Sequence, residues 1–394
     1  MLLELYGLVG ILGTLALAAW LGGREKTLEI AAREFATRRY FSGLDGLRAI
    51  SVVAVIWCHV AGPQQFNLLN QGNKGVDLFF AISGFLVTTL LLREYRERGS
   101  ISLTQFYIRR SLRIFPLYYA VLFLYCVLVL ATMRGTVKAA EFWDNLPAFL
   151  TYTSNWFVDL NGAGSHGTTF YFAWSLATEE QFYLFWPALL LLSLWLTKRS
   201  WAPAIAAVLL ISIQLIAVSH VKPTLVVIVL ASLAPAILFG VVFAVLLHNR
   251  RIFDLLYPVI GNRLMAPAAA GLLLACLQFD ADLLLIRFLM ALLVASVCVR
   301  DDTVLHPALN WRPAVFMGAI SYGMYLMHML AANFARILLG HFSGLDVFVV
   351  TLLVVTVMAF LSYRFFEAPI LKLKGRFQPG KTVEPVVGPA APTV

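Results

Sequence analysis

The sequence predicts an all-α fold, a polytopic bundle of membrane-crossing helices, and three observations predict it. Hydrophobic residues make up 60% of the chain and charged ones 13%, with a mean hydropathy of +0.82, so an ordinary soluble surface cannot be built from it. The apolar stretches are long, broken by short polar ones, and carry Leu, Val, Ala and Phe without period-two alternation. That pattern argues for helices, which satisfy their own backbone in lipid, and against an outer-membrane barrel. Third, the Lys and Arg residues behind the net charge of +9 collect in alternate connections, which reads as membrane topology rather than nucleic-acid binding.

Taking roughly 17 to 25 apolar residues per crossing, spans fall near 6–22, 47–62, 75–92, 113–132, 174–196, 202–219, 224–247, 256–277, 281–299, 314–335 and 345–366, about 11 helices. The first has no basic residues before its apolar stretch and several after it, so it reads as a retained anchor rather than a cleaved signal. The basic connections are Arg24 to Arg39, Arg93 to Arg113, Lys198 and Arg199, Arg250 and Arg251, Arg300 to Arg312, and the tail with Lys372, Lys374 and Arg376. All fall on one side if the spans alternate, while the opposite connections hold chiefly Lys74, Arg134, Lys138 and Lys222. The positive-inside rule then puts the N-terminus outside and the C-terminus in the cytoplasm, in a multi-pass protein of the bacterial inner membrane.

After the first span, Leu28, Ala31 and Phe35 share one helical face, and Glu29 with Arg33 and Glu34 with Arg38 are spaced i,i+4, which predicts an interfacial helix on the cytoplasmic leaflet or a solvated connector. Residues 1–40 therefore read as an extra N-terminal span plus this amphipathic segment, 41–372 as the main membrane domain, and 373–394 as a disordered cytoplasmic tail rich in Pro, Val and Gly. Residues 133–173 form one long outer segment that combines an apolar run, Leu146 to Thr151, with Asn161, Gly162, Gly164 and Gly167; such a loop suits a cover over an outward site. The four cysteines, Cys58, Cys126, Cys276 and Cys298, lie inside apolar stretches without paired spacing and read as packing residues.

Ionisable groups within hydrocarbon must pair, line water or work. Here they are Arg48, His59, Asp77, Glu179, Glu180, Arg287 and His328; the other histidines, His166, His220, His248, His306 and His341, fall in loops or at helix ends. Arg48 and His59 sit on one span, about 16 Å apart along its axis and close to the same face, the arginine toward the cytoplasm and the histidine toward the outer surface. Asp77 opens the next span at the outer end, and Glu179 and Glu180 lie in the outer half of theirs. A histidine with a carboxylate in reach serves as a general base toward a hydroxyl. The plain alternative, a histidine that only bonds a neighbouring helix, stands at even weight.

On the cytoplasmic side, FYIRRSLRIFPLYY sets Arg109 and Arg113 at i,i+4 with Arg110 beside them and aromatic residues interleaved, Tyr118 among them. Guanidinium groups match phosphate oxygens and aromatic rings stack on adenine, so the run suits coenzyme A; the same charges also satisfy the positive-inside rule with no ligand. Ser83 and Gly84 lie mid-membrane, where small residues allow close packing or passage of a thin acyl-carrying group. Ser83 lacks the Gly-x-Ser-x-Gly setting of a nucleophile, no Gly-rich phosphate loop appears, and no His or acid shows metal-ligand spacing, so no metal is expected.

Taken in order, LDGLRAISVVAVIWCH with Arg48 and His59, GVDLFFAISGFL at 75–86, FYIRRSLRIFPLYY, WSLATEEQFYLFWP at 174–187, SYGMYLMH at 321–328 and EAP at 367–369 resemble the membrane-bound acyltransferase family 3, which O-acylates bacterial surface polysaccharides and some small molecules. The resemblance covers most of residues 42–369. It implies a core of ten helices, an essential histidine at His59, and an arginine motif at Arg109, Arg110 and Arg113 that uses acyl-CoA, acetyl-CoA by default. The acceptor so implied is an extracytoplasmic carbohydrate or lipid-linked sugar. The expected site then comprises His59, Glu179, Asp77 and Arg48 for chemistry, with Glu179 or Asp77 orienting a His59 that acts as base or is transiently acylated, and Arg109, Arg110, Arg113, Tyr118 and Ser83 for the donor. This sequence departs from the family pattern in its span at 6–22 and in lacking the soluble SGNH-type domain of some members, so the membrane domain itself or a separate partner is expected to complete transfer. A transporter or flippase of a glycolipid or small molecule is the rival reading, and its best support, an inverted repeat, is not seen.

Overall fold

A computed structural model describes residues 25–38, 40–158, 169–219 and 224–373. The expected first span and the tail beyond Leu373 lie outside the described residues, as do His166, His220, Gly162, Gly164 and Gly167. Every regular element among the described residues is helical. The principal helices are α1 (Glu25–Thr37), α2 (Gly43–Val60), α3 (Gly75–Arg98), α4 (Leu103–Thr132), α5 (Val137–Leu150), α6 (Ala173–Thr197), α7 (Ala202–Val218), α8 (Leu225–Ala231), α9 (Pro235–His248), α10 (Arg250–Ile260), α11 (Met265–Gln278), α12 (Leu283–Val299), α13 (Arg312–Ala319), α14 (Ser321–Leu339) and α15 (Leu345–Ser362).

Each expected span from 47 onward contains one of these helices or a broken pair of them. Among the described residues, length and apolar character alone qualify four helices as crossings, or up to seven if each bent pair is one span, so the count of about 11 is not established. The bends are 51° between α8 and α9, 71° between α10 and α11, and 79° between α13 and α14. Pro235 opens α9 and Pro313 sits in the first turn of α13, where a missing N–H costs nothing. The outer segment is more ordered than its composition suggests. Residues Ala139, Phe142 and Phe149 form a buried stripe along α5, at spacings that return to one helical face, and Thr136 caps the helix by accepting from Ala139 N at 3.2 Å.

Helix α2 runs between two apolar cores. Val52, Val55 and Ile56 pack with residues of α4, α5, α6, α14 and α15, while Leu44 and Leu47 join α1, α3, α9, α11 and α12. Ala31 and Phe35 of α1 are buried in this second core, so the amphipathic segment lays its apolar face on protein. A third core joins α3, α4, α6, α7 and α9 through Val87, Phe106, Trp186 and Val241. Helices α3 and α9 cross closely: a side chain at Gly84 would run into the Ile237 backbone and one at Gly240 into that of Ala81. This is small-residue packing of the kind membrane helices rely on, and it matches the packing role expected of Gly84. Outward, Phe123, Phe185, Trp195, Leu209, Ile216 and Leu353 are exposed, as lipid-facing positions should be.

Candidate active site

The three cores leave a narrow cavity of about 220 Å³ between α2, α3, α4, α6 and α14. One wall follows α3 from Val76 to Glu94, about 27 Å of helix at 1.5 Å per residue, close to the roughly 30 Å of bilayer hydrocarbon. The cavity is therefore long and thin, suited to an extended chain.

One end is lined by Glu94, Phe106, Arg109, Arg110, Arg113 and Arg48. The helical spacing of the arginine run turns all three of its guanidinium groups toward one space. Arg109 pairs with Glu94 at 3.4 Å, and the other oxygen of Glu94 accepts from Ser102 N at 2.8 Å. Arg110 lies over the rings of Tyr183, 4.7 Å from its centroid, and Phe106, at 5.7 Å, a cation–π arrangement that holds a charge without neutralising it. Arg113 is exposed and lines the cavity. Arg48 donates to Asp45 Oδ1 at 2.7 Å, and Tyr40 donates to the other oxygen of Asp45. Desolvation and the Asp45 carboxylate push the Tyr40 hydroxyl up to about 12, so it stays a donor at neutral pH.

Midway, Glu179 accepts from the hydroxyls of Ser83 and Tyr183, with Tyr183 and Ser83 oxygens 3.0 Å apart. Beyond them Phe79, Ser175 and Tyr325 line the cavity. The Tyr325 hydroxyl is 2.6 Å from Ser175 Oγ and donates to Phe172 O at 3.2 Å. Its ring is 5.6 Å from that of His328, so the residue that lines the cavity also neighbours a pair of histidines.

That pair is His59 on α2 and His328 on α14, with ring centroids 4.9 Å apart at 63°. Nδ1 of His59 lies 2.7 Å from Val55 O, and Nδ1 of His328 lies 2.5 Å from Tyr325 O. A carbonyl only accepts, so in each neutral ring the proton sits on Nδ1 and the lone pair on Nε2. His59 is partly exposed and His328 fully buried. Arg336 Nη2 donates to His59 O at 2.8 Å, and Gly344 N donates to Val60 O at 3.0 Å, which fixes the end of α2 that carries His59.

The expected residues are thus partly brought together. Arg48, Arg109, Arg110, Arg113, Ser83 and Glu179 all line the one cavity. Asp77 is elsewhere, paired with Arg287 at 2.9 Å. Neither Asp77 nor Glu179 has a hydrogen bond to His59; each carboxylate is engaged by partners nearer to it, and the nearest ring to His59 is another imidazole. Tyr118 is fully buried, donates to Phe149 O at 2.8 Å and stacks on Tyr152, so it braces α4 against α5 rather than lining the cavity. Tyr325, Ser175, Tyr183, Asp45 and Glu94 were not anticipated. Asp45 precedes Arg48 by three residues, a helical pairing distance that the sequence does display; the others are joined only by tertiary packing. Among the described residues, no group of three His, Cys, Asp or Glu side chains is arranged to hold a metal ion.

Comparison with known proteins identifies the family. The family model described as an acyltransferase domain matches residues 41–364. The chain is 32% identical over 361 residues, 84% of its length, to the "Putative peptidoglycan O-acetyltransferase YrhL" of Bacillus subtilis. It is 31% identical over 374 residues, 85% of its length, to a "Putative O-acetyltransferase" of Staphylococcus aureus strain COL. Against the "Peptidoglycan O-acetyltransferase OatA" of Listeria monocytogenes it is 30% identical over 373 residues, again 85% of its length. The chain spans only 55%, 58% and 56% of these three relatives, respectively. No solved structure matches it significantly. The chain belongs to this acyltransferase family.

Proposed function

We propose that the chain is a membrane O-acyltransferase that takes an acyl group, acetyl by default, from cytoplasmic acyl-CoA. It passes that group to a hydroxyl of an envelope carbohydrate on the other face. The observation that carries this reading is the cavity itself, which runs along α3 from three clustered arginines to Tyr325, whose ring neighbours that of His328. The basic connections support a cytoplasmic arginine end by the positive-inside rule.

Arg109, Arg110 and Arg113 bind the donor's phosphates, and its thin arm extends past Ser83 and Glu179 to present the thioester at Tyr325. Tyr325 turns away from Ser175 and opens the way to His59. His59 Nε2 then removes the proton from the acceptor hydroxyl as its oxygen attacks the thioester carbonyl; the carbon–sulfur bond breaks, and the proton leaves with the thiolate as free CoA. The names of the relatives make a peptidoglycan sugar the first acceptor to test. Mass spectra of envelope glycans from cells with and without the gene test the reading: loss of an acetyl ester from one glycan supports it. Unchanged esters on every glycan, with a glycolipid or small molecule redistributed across the membrane, would favour a transporter.

A further inference from the structure

We propose that His328 is a positioning partner of His59, its Nε2 lone pair sharing the proton that His59 removes, so that one positive charge is held between two imidazoles rather than between an imidazole and a carboxylate. The inference rests on the acyl-transfer reading above and deepens it.

Three observations carry it. First, His328 Nε2 is buried and has no hydrogen-bond partner, although buried polar atoms are nearly always paired. Second, the His59 ring is its neighbour, 4.9 Å away between centroids and inclined at 63°. Third, both Nδ1 atoms are committed to backbone carbonyls, so each ring has only Nε2 to offer. Two neutral imidazoles in this state cannot bond each other, since both present a lone pair. Once His59 Nε2 takes the acceptor proton it becomes a donor, and the His328 lone pair becomes its acceptor. The site therefore gains a hydrogen bond only after proton abstraction, which is stabilisation confined to the reaction's charged stage.

Other titratable or charged groups around the pair do not replace this role. Arg336, on the same helix as His328, is turned to the carbonyls of His59 and Phe342 and to Asn333 Oδ1. The Tyr325 hydroxyl is directed at Ser175 and Phe172 O. Tyr171 faces His59 with ring centroids 6.1 Å apart, Cys58 is adjacent in the chain, and the remaining face of His328 meets Phe172 at 5.1 Å. No carboxylate among the described residues bonds either ring. In the step proposed, the acceptor O–H breaks as the O–acyl bond forms, the proton passes to His59 Nε2 and is shared with His328 Nε2, and it then moves to the CoA thiolate released when the C–S bond breaks.

His328→Asn separates this role from a structural one, because an asparagine amide can still donate to Tyr325 O while the second nitrogen is gone. In proteoliposomes of the full chain with acetyl-CoA and a peptidoglycan disaccharide, kcat should fall about a hundredfold, with the KM for acetyl-CoA unchanged. The acid limb of the kcat profile should move to lower pH, since His59 loses the group that stabilised its protonated form. A kcat within threefold of the parent, or a loss of rate with an unmoved acid limb, would overturn the proposal. Nitrogen-15 spectra of histidine-labelled protein read the pair without substrate: the two rings should change together on acidification, and independent titration would overturn the proposal even in an active enzyme. A parent protein that transfers no acetyl while its rings titrate together would instead refute the acyl-transfer reading on which the proposal rests.

Discussion

The arginine end of the cavity and the histidine pair beside Tyr325 hold polar groups in opposite ways. At the arginine end the charges are permanent and three of the four are steadied: Arg48 by Asp45, Arg109 by Glu94, Arg110 by the faces of Tyr183 and Phe106. At the histidine end the described groups bonded to the rings are neutral, and the rings are fixed by backbone carbonyls. In the proposed reaction the difference follows from when charge is needed: a phosphate-bearing donor brings its charge beforehand, so fixed cations suit it, whereas a base carries charge only while a proton is in transit.

Substitutions that break one end and spare the other sharpen this contrast. The largest effect is expected at His59: His59→Ala should lower acetyl transfer by about 10² to 10⁴-fold while acetyl-CoA binding, measured by isothermal titration, stays near the parent value. Arg113→Ala should do the reverse, raising the KM for acetyl-CoA about tenfold to a hundredfold, the range lost with a charged hydrogen bond, and leaving saturated turnover within a few fold. Equal effects of the two changes on KM and kcat would remove the distinction between the ends. Tyr325→Ala, which removes the ring beside His328, should raise acceptor-independent CoA release severalfold in a thiol-detection assay. If release stays acceptor-dependent, that ring does not separate the two ends. Gly84→Leu tests the shared wall and should destabilise the protein by about 1–3 kcal/mol, seen as a lower melting temperature in detergent with both ends impaired together.

The smallest effect belongs to a pair outside the cavity. Asp302 accepts from Arg263 and Arg300; the Arg300 hydrogen bond first, and then that of Arg263, hold its carboxyl below the usual carboxylate range. A depressed folded value means the stabilisation is full above the unfolded value near pH 4 and is lost as acid protonates the folded carboxylate. Asp302→Asn should therefore lower stability at pH 7 by under about 1 kcal/mol, since the side chains are half exposed, and parent and variant should converge in strong acid. Melting curves at pH 7 and pH 3 check the trend.

Much of this organisation was legible in the sequence because lipid imposes a simple pattern: apolar runs of spanning length and basic residues gathered in alternate connections. The arginine end was legible as well, since Arg109, Arg110 and Arg113 are neighbours along one helix. The histidine end was only half legible. His59 and His328 both stood out as ionisable groups in apolar stretches, but 269 positions separate them, and nothing local says that α2 and α14 bring their rings together. The same holds for Asp77, whose partner Arg287 lies on another helix, and for the 79° break before Ser321, which no proline at Ile320 announces. Local spacing reveals partners within a turn; partners across helices depend on packing that the α3–α9 glycine contact helps set.

The account is tested most directly in proteoliposomes with labelled acetyl-CoA on the arginine side and a glycan acceptor only on the histidine side. It predicts that acetyl ester appears on the acceptor in step with CoA release, and that His59→Ala abolishes the ester while donor binding remains. Full ester formation by His59→Ala, or CoA release wholly independent of the acceptor, would contradict it.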